Sequence, residues 1–160
     1  MRMIFVNLPV KDLEASKRFF GALGFTFNVQ FTDDTAAAMV VEENIVVMLL
    51  TETRFRDFIK GDISDTAKGV EVLTCLSAGS RAEVEDTIGK ALAAGGKPWM
   101  PPQDHGFMYG SSFQDLDGHV WEVMWMDPRR RAAGRGSGRR TRLVAERRLR
   151  AGAGAALIGA

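Results

Sequence analysis

The sequence predicts an α+β fold of two βαβββ modules: a curled mixed β-sheet, an incomplete barrel, with helices outside and a concave ligand cleft inside. Three observations predict it. The order strand–helix–strand–strand–strand is written twice. Each helical pattern stops on glycine in the corresponding place, Gly24 in the first copy and Gly95-Gly96 in the second. The strand candidates alternate, or run as short apolar stretches between turn residues.

In module one (1–51), "MIFVNLP" alternates and reads as a strand. Leu13, Phe19, Phe20 and Leu23 then recur at helical spacing. "FTFNVQF" reads as a strand and Asp33-Asp34 as a turn. "TAAAMVVE" and "NIVVMLLT" form a hairpin across Glu43-Asn44. A linker (52–68) holds one short helix at Arg54–Lys60. In module two (69–127), "GVEVLTCLS" reads as a strand. The next helix starts at Ser80, with Glu83 three residues on as a capping box. "KPWMPP" is a short edge strand limited by proline. "FMYGSSFQD" and "HVWEVMWM" pair across Leu116-Asp117-Gly118.

Residues 1–128 carry 11 basic and 19 acidic side chains, a net of −8, whereas 129–160 carry ten Arg and one Glu. This Arg/Gly/Ala-rich tail is too poor in apolar residues to pack and is expected to be disordered. Its charge is the one hint of a nucleic-acid partner, but it has no aromatic residue for base stacking, so none is expected. The single cysteine, Cys75, excludes an internal disulfide. The amino terminus runs straight into a strand with no leader pattern, and no apolar run nears the roughly 18 residues of a membrane helix. A cytoplasmic protein that makes no membrane contact is expected.

Glu122 poses a question, since it is a carboxylate inside the apolar run "VWEVMWM". Burying it without a partner costs several kcal/mol or drives it to the neutral form. Alternation puts Trp121, Val123 and Trp125 on the helix side, and Val120, Glu122, Met124 and Met126 on the cleft side. On the first strand Ile4, Val6 and Leu8 face the helix, and Phe5, Asn7 and Pro9 face the cleft.

The paired modules, the opening "LPVKDLEASKRFFGALGF" and the ending "DLDGHVWEVMW" resemble the vicinal-oxygen-chelate superfamily of glyoxalases, bleomycin-resistance proteins and extradiol dioxygenases. The resemblance covers residues 1–127. It implies a cleft in which four inward residues, drawn from His, Gln and Glu, hold a divalent ion that polarises two adjacent substrate oxygens. Carried onto this chain, the positions fall on Phe5, on Met48, within "GVEVL" where Glu71 fits, and on Glu122. Phe5 offers no donor, and a thioether suits a hard ion poorly. Two of four ligands, Glu71 and Glu122, are competent, so a divalent metal is not assigned as a cofactor.

Two functions follow from this resemblance. One is a glyoxalase-like protein that binds a small organic molecule without the complete family metal site, its cleft walled by Phe5, Met48, Leu50, Leu73 and Met124. The other is a metal-dependent lyase, isomerase or dioxygenase, lactoylglutathione-lyase-like or dioxygenase-like, with Glu122 catalytic. Asn7, Glu71, His105 and Tyr109 are the further ligand-binding candidates; His105 reads equally as a loop histidine and Tyr109 as a plug of the hairpin. Cys75 shares the face of Glu71 by parity. Met39, Met48, Met100, Met108, Met124 and Met126 exceed what core filling requires, and read as gap filling first and as an adaptable cleft wall second. The family resemblance also implies a homodimer.

Overall fold

The computed structural model describes residues 2–133. Met1–Trp125 form one compact unit and a second begins at Met126. The expectation for the tail lies, from residue 134 on, outside the described residues.

Module one is β1 (Ile4–Val10), α1 (Leu13–Ala22), β2 (Thr26–Asn28), β3 (Ala36–Glu42) and β4 (Ile45–Thr51), in a four-stranded sheet of order β1-β4-β3-β2. β1 runs parallel to β4, with Asn7 opposite Met48. The stretch expected to extend β2 instead tightens into a 3-10 turn at Val29–Phe31, because the Asn28 side chain accepts from the Gln30 N–H at 2.9 Å. The linker helix α2 spans Glu52–Arg56, earlier than expected, since the Thr51 hydroxyl caps it by accepting from the Arg54 N–H.

Module two is β5 (Leu73–Ser77), α3 (Arg81–Ala93), β6 (Lys97–Pro98), β7 (Gln103–Asp104), β8 (Met108–Gln114) and β9 (Val120–Met126). Its sheet has the order β5-β9-β8-β6, and β7 also pairs with β8. β5 starts at Leu73, four residues later than the sequence pattern suggests. Its only partner is the parallel β9, and the first pair is Leu73 with Val120, so residues 69–72 have no strand to pair with. β7, which the sequence pattern did not announce, folds back on β8 through a turn closed by the His105 N–H to the Met108 carbonyl. Each module thus keeps its own mixed sheet, and neither closes into a barrel.

Both long helices begin as their sequences dictate. Asp12 caps α1 by accepting from the Ala15 N–H, and Ser80 caps α3 by accepting from the Glu83 N–H. Glu83 reaches back to Gly79 rather than to Ser80, displacing the capping box by one residue. In the second unit, Asp127 accepts from the Arg129 N–H ahead of α4 (Pro128–Ala133), with proline at the first helical position. No helix of the described residues is long and apolar enough to cross a membrane.

One buried cluster joins the two modules. α1 belongs to module one, yet its Phe20 lies 5.1 Å from Trp121 and its Phe19 6.1 Å from Phe113, centroid to centroid. Phe113 and Trp121 stack nearly parallel, and Phe19 meets Phe20 edge-on. Gly96 permits this approach. A Cβ there would stand 2.9 Å from the Ala91 and Gln114 carbonyls and 3.2 Å from the Phe19 ring.

Asp115 holds the hairpin that presents Trp121. It is 5% exposed. One carboxylate oxygen accepts from the Asp117 and His119 N–H groups, both at 3.0 Å, and the other from the Trp121 indole at 3.0 Å. Gly118 turns the chain at φ +85°, where Thr66 also leaves no room for a side chain. Burial pushes the Asp115 carboxyl above the ordinary carboxylate range, against the opposing pull of His119 and the three donors.

Asp115→Ala is expected to lower stability by about 3 kcal/mol, because it strands three buried donors; a urea midpoint within error of wild type would refute the clamp. The raised acid pKa fixes the sign of a second expectation. Its stabilising contribution is full at low pH and is lost as pH rises through the native value. The stability gap between wild type and Asp115→Asn is therefore expected to narrow as pH climbs through the acid range in urea titrations, and a widening gap would contradict it.

Candidate functional site

Parity on β9 sends Trp121 and Val123 into the core and Glu122 and Met124 to the opposite face. β5 lies alongside in parallel and sets Cys75 opposite Glu122 and Ser77 opposite Met124. On β8, Met108, Gly110 and Ser112 share this face. A Cβ on Gly110 would come within 3.8 Å of the Met124 side chain, so its missing side chain leaves Met124 uncovered. The connection after β6 crosses the open end, tied down by the Met100 N–H to the Ser112 hydroxyl at 3.1 Å. Pro101 and Gln103 complete a pocket of about 190 Å³.

Among the described residues, Glu122 is the only charged side chain lining this pocket, and no Lys, Arg or His lines it. Glu122 is half-buried and makes no hydrogen bond or ion pair among the described residues. Burial, and then the neighbouring charge of Glu122, push the Cys75 thiol up from its ordinary value.

The other candidates are dispersed. Asn7 and Glu71 line a separate groove of about 700 Å³ between β1, the linker and residues 69–72, together with His119. The His119 ring nitrogen Nε2 bonds the Pro9 carbonyl at 2.7 Å. Phe5 is 55% exposed on the edge strand β1, and Met48 is half-buried beside Asn7. His105 is exposed in the β7–β8 turn. Tyr109 packs against the core on the helix side, its ring under the Arg81 guanidinium at 4.5 Å, and Arg81 also pairs with Asp104. Leu50 is buried and Leu73 half exposed. The sequence reading took in Met100 and Met108 only among the methionines of an adaptable wall and passed over Gly110 and Ser112; their alternation with Met108 along β8 was the available signal.

The donors do not fit the divalent ion that the resemblance implies. Glu71 and Glu122 line different cavities, and the module-one positions offer a phenyl ring and a thioether. Among the described residues, no three His, Cys, Asp or Glu side chains gather as a metal-holding group.

Cys75 is the only cysteine, so alkylation reports on it alone. Glu122→Gln removes a charge that raises the thiol, and is expected to shift the pH profile of iodoacetamide labelling to lower pH. An unmoved profile would mean that the two groups do not share the pocket.

Three comparisons bear on the chain's ancestry. A family described as bleomycin resistance protein-like N-terminal matches residues 2–41. No curated protein matches. Among solved structures, the hypothetical protein SA1046 from S. aureus is 28% identical, with a TM-score of 0.68 over 78% of this chain and 94% of that one. A glyoxalase/bleomycin resistance protein/dioxygenase family enzyme from Burkholderia phytofirmans PsJN is 14% identical, with a TM-score of 0.65 over 79% and 99%. A glyoxalase-related enzyme from Fulvimarina pelagi is 20% identical, with a TM-score of 0.65 over 78% and 88%. The chain thus shares the fold of glyoxalase/bleomycin-resistance proteins, and its first strand and helix match the bleomycin-resistance-like model.

Proposed function

We propose that this glyoxalase-like protein binds a small organic molecule in the pocket over β5, β8 and β9, without the family's metal. The observation that carries this reading is Glu122: an unpaired carboxylate in a soft, largely apolar pocket with no basic residue in its lining. Such a carboxylate selects a ligand with a hydrogen-bond donor or a positive centre. At about 190 Å³ the pocket is smaller than the roughly 300–1,000 Å³ of most ligand sites, so it receives a fragment-sized group.

The second reading is catalytic. A carboxylate free of hydrogen bonds is available as a general base toward a substrate C–H or O–H placed against it. This reading predicts turnover that Glu122→Gln abolishes while ligand affinity survives. Loss of affinity alone would assign binding.

A homodimer is the proposed assembly. β1 and β5 are the outer strands of their sheets, and Ile4, Phe5, Val72 and Leu73 at or beside these edges are 50–55% exposed. Unpaired edges with apolar neighbours favour association with a second chain. Light scattering is expected to give twice the chain mass for the wild type and the chain mass for Phe5→Lys. A monomeric wild type would end this proposal.

The binding reading is tested by thermal shift with paired fragments, aliphatic and aromatic amines against carboxylic acids of the same skeleton. The amines are expected to raise the wild-type melting temperature and to lose that effect in Glu122→Gln. A preference for the acids, or an undiminished amine effect in the variant, would overturn it.

A further inference from the structure

The same pocket collects sulfur. Cys75 from β5, Met124 from β9, Met108 from β8 and Met100 from the β6–β7 connection all line it, beside Glu122. Four separate segments of chain therefore bring one thiol and three thioethers to a space of about 190 Å³. The placement is specific in its local causes. Cys75 stands opposite Glu122 in the parallel register. Gly110 uncovers Met124, and the Ser112 hydroxyl holds the Met100 backbone. Gap filling does not explain three methionines here, since none is among the fully buried core side chains and Met100 is 54% exposed.

We infer that this sulfur wall is a binding site for a soft monovalent metal ion of the copper(I) class. Thiolate and thioether donors select such ions over hard divalent ones. Flexible methionines also adapt to the low coordination numbers that such ions accept. The electrostatics agree. Among the described residues, the only charge in the lining is negative and no basic side chain lines the pocket. Binding is an exchange: the Cys75 S–H proton leaves to solvent and a sulfur–metal bond takes its place, with no change of oxidation state. The metal's charge then relieves the repulsion between the thiolate and Glu122. This inference rests on the pocket of the preceding reading and on its negative charge, but not on an organic occupant.

The test uses the full chain under anaerobic conditions. Copper(I) is supplied as its complex with bicinchoninate, whose colour reports transfer to the protein, and silver(I) serves as a redox-inert second probe. The wild type is expected to withdraw one equivalent of either ion. Met108→Leu and Met124→Leu, which conserve volume, are each expected to weaken binding roughly tenfold or more. Cys75→Ser is expected to weaken it further, with melting temperatures showing that the variants fold. Methionine variants that compete as well as wild type would overturn the inference and leave an ordinary thiol. Failure of the wild type to withdraw copper(I), with the amine fragments still bound, would remove the metal alone; failure of both would remove the pocket.

Discussion

The fold turns on α1, which packs on its own sheet and also reaches the other one. Phe19 and Phe20 leave module one to meet Phe113 and Trp121 in module two. Each such aromatic contact contributes about 0.5–1.5 kcal/mol beyond the area it buries. The pair also joins the two halves into a single core. What lets Trp121 occupy the centre of that core is its satisfied indole, and that depends on Asp115. The motif "DLDGHVWE" therefore has a structural cause. Its first Asp clamps the turn and the indole, its Gly takes the positive φ, and its Glu is left for the other face.

With the helix side committed to this core, the opposite face of each sheet is free, and the two faces have diverged. In module one it carries Phe5, Asn7 and Met48, with Thr26 and Asn28 on the same face across the sheet, and no charged residue in these rows. In module two it carries Cys75, Glu122, Met124, Met108 and Ser112. The chemistry of the chain is concentrated on one of two copies of the same architecture. The family's four ligand positions therefore do not carry a symmetric donor set in this chain.

Much of this was legible in the sequence because period-two and helical patterns report which face a residue takes. Parity placed Trp121, Val123 and Leu8 on the helix side and helical spacing marked Phe20, and all four are buried, whereas Ile4, placed on the helix side too, is 53% exposed at the sheet edge. The boundaries that moved depend on partners distant in sequence. The start of β5 is set by where β9 begins, and the course of β7 by its fold back onto β8. The site was legible only in part, for the same reason. Parity put Glu122 and Cys75 on one face, but it gave no sign that Glu71, before β5, would line another cavity. Nor did it place Tyr109 beneath Arg81, since that contact joins α3 to β8.

Two carboxylates seven residues apart show how the structure separates stability from function. Asp115 is nearly inaccessible and receives three donors, so its lone pairs are committed to the turn and to Trp121. Glu122 sits one residue beyond that tryptophan and receives none among the described residues. A protein that needed Glu122 only for packing would fare better with an apolar residue, since a half-buried charge without a partner costs free energy and returns none to the fold. Its neighbours sharpen the point. Gly110 withholds a side chain where one would cover Met124, and Cys75 bears the charge of Glu122 at the expense of its own ionisation. The acid, the thiol and the thioethers line one pocket, and the proposal of a positively charged ligand is drawn from that arrangement.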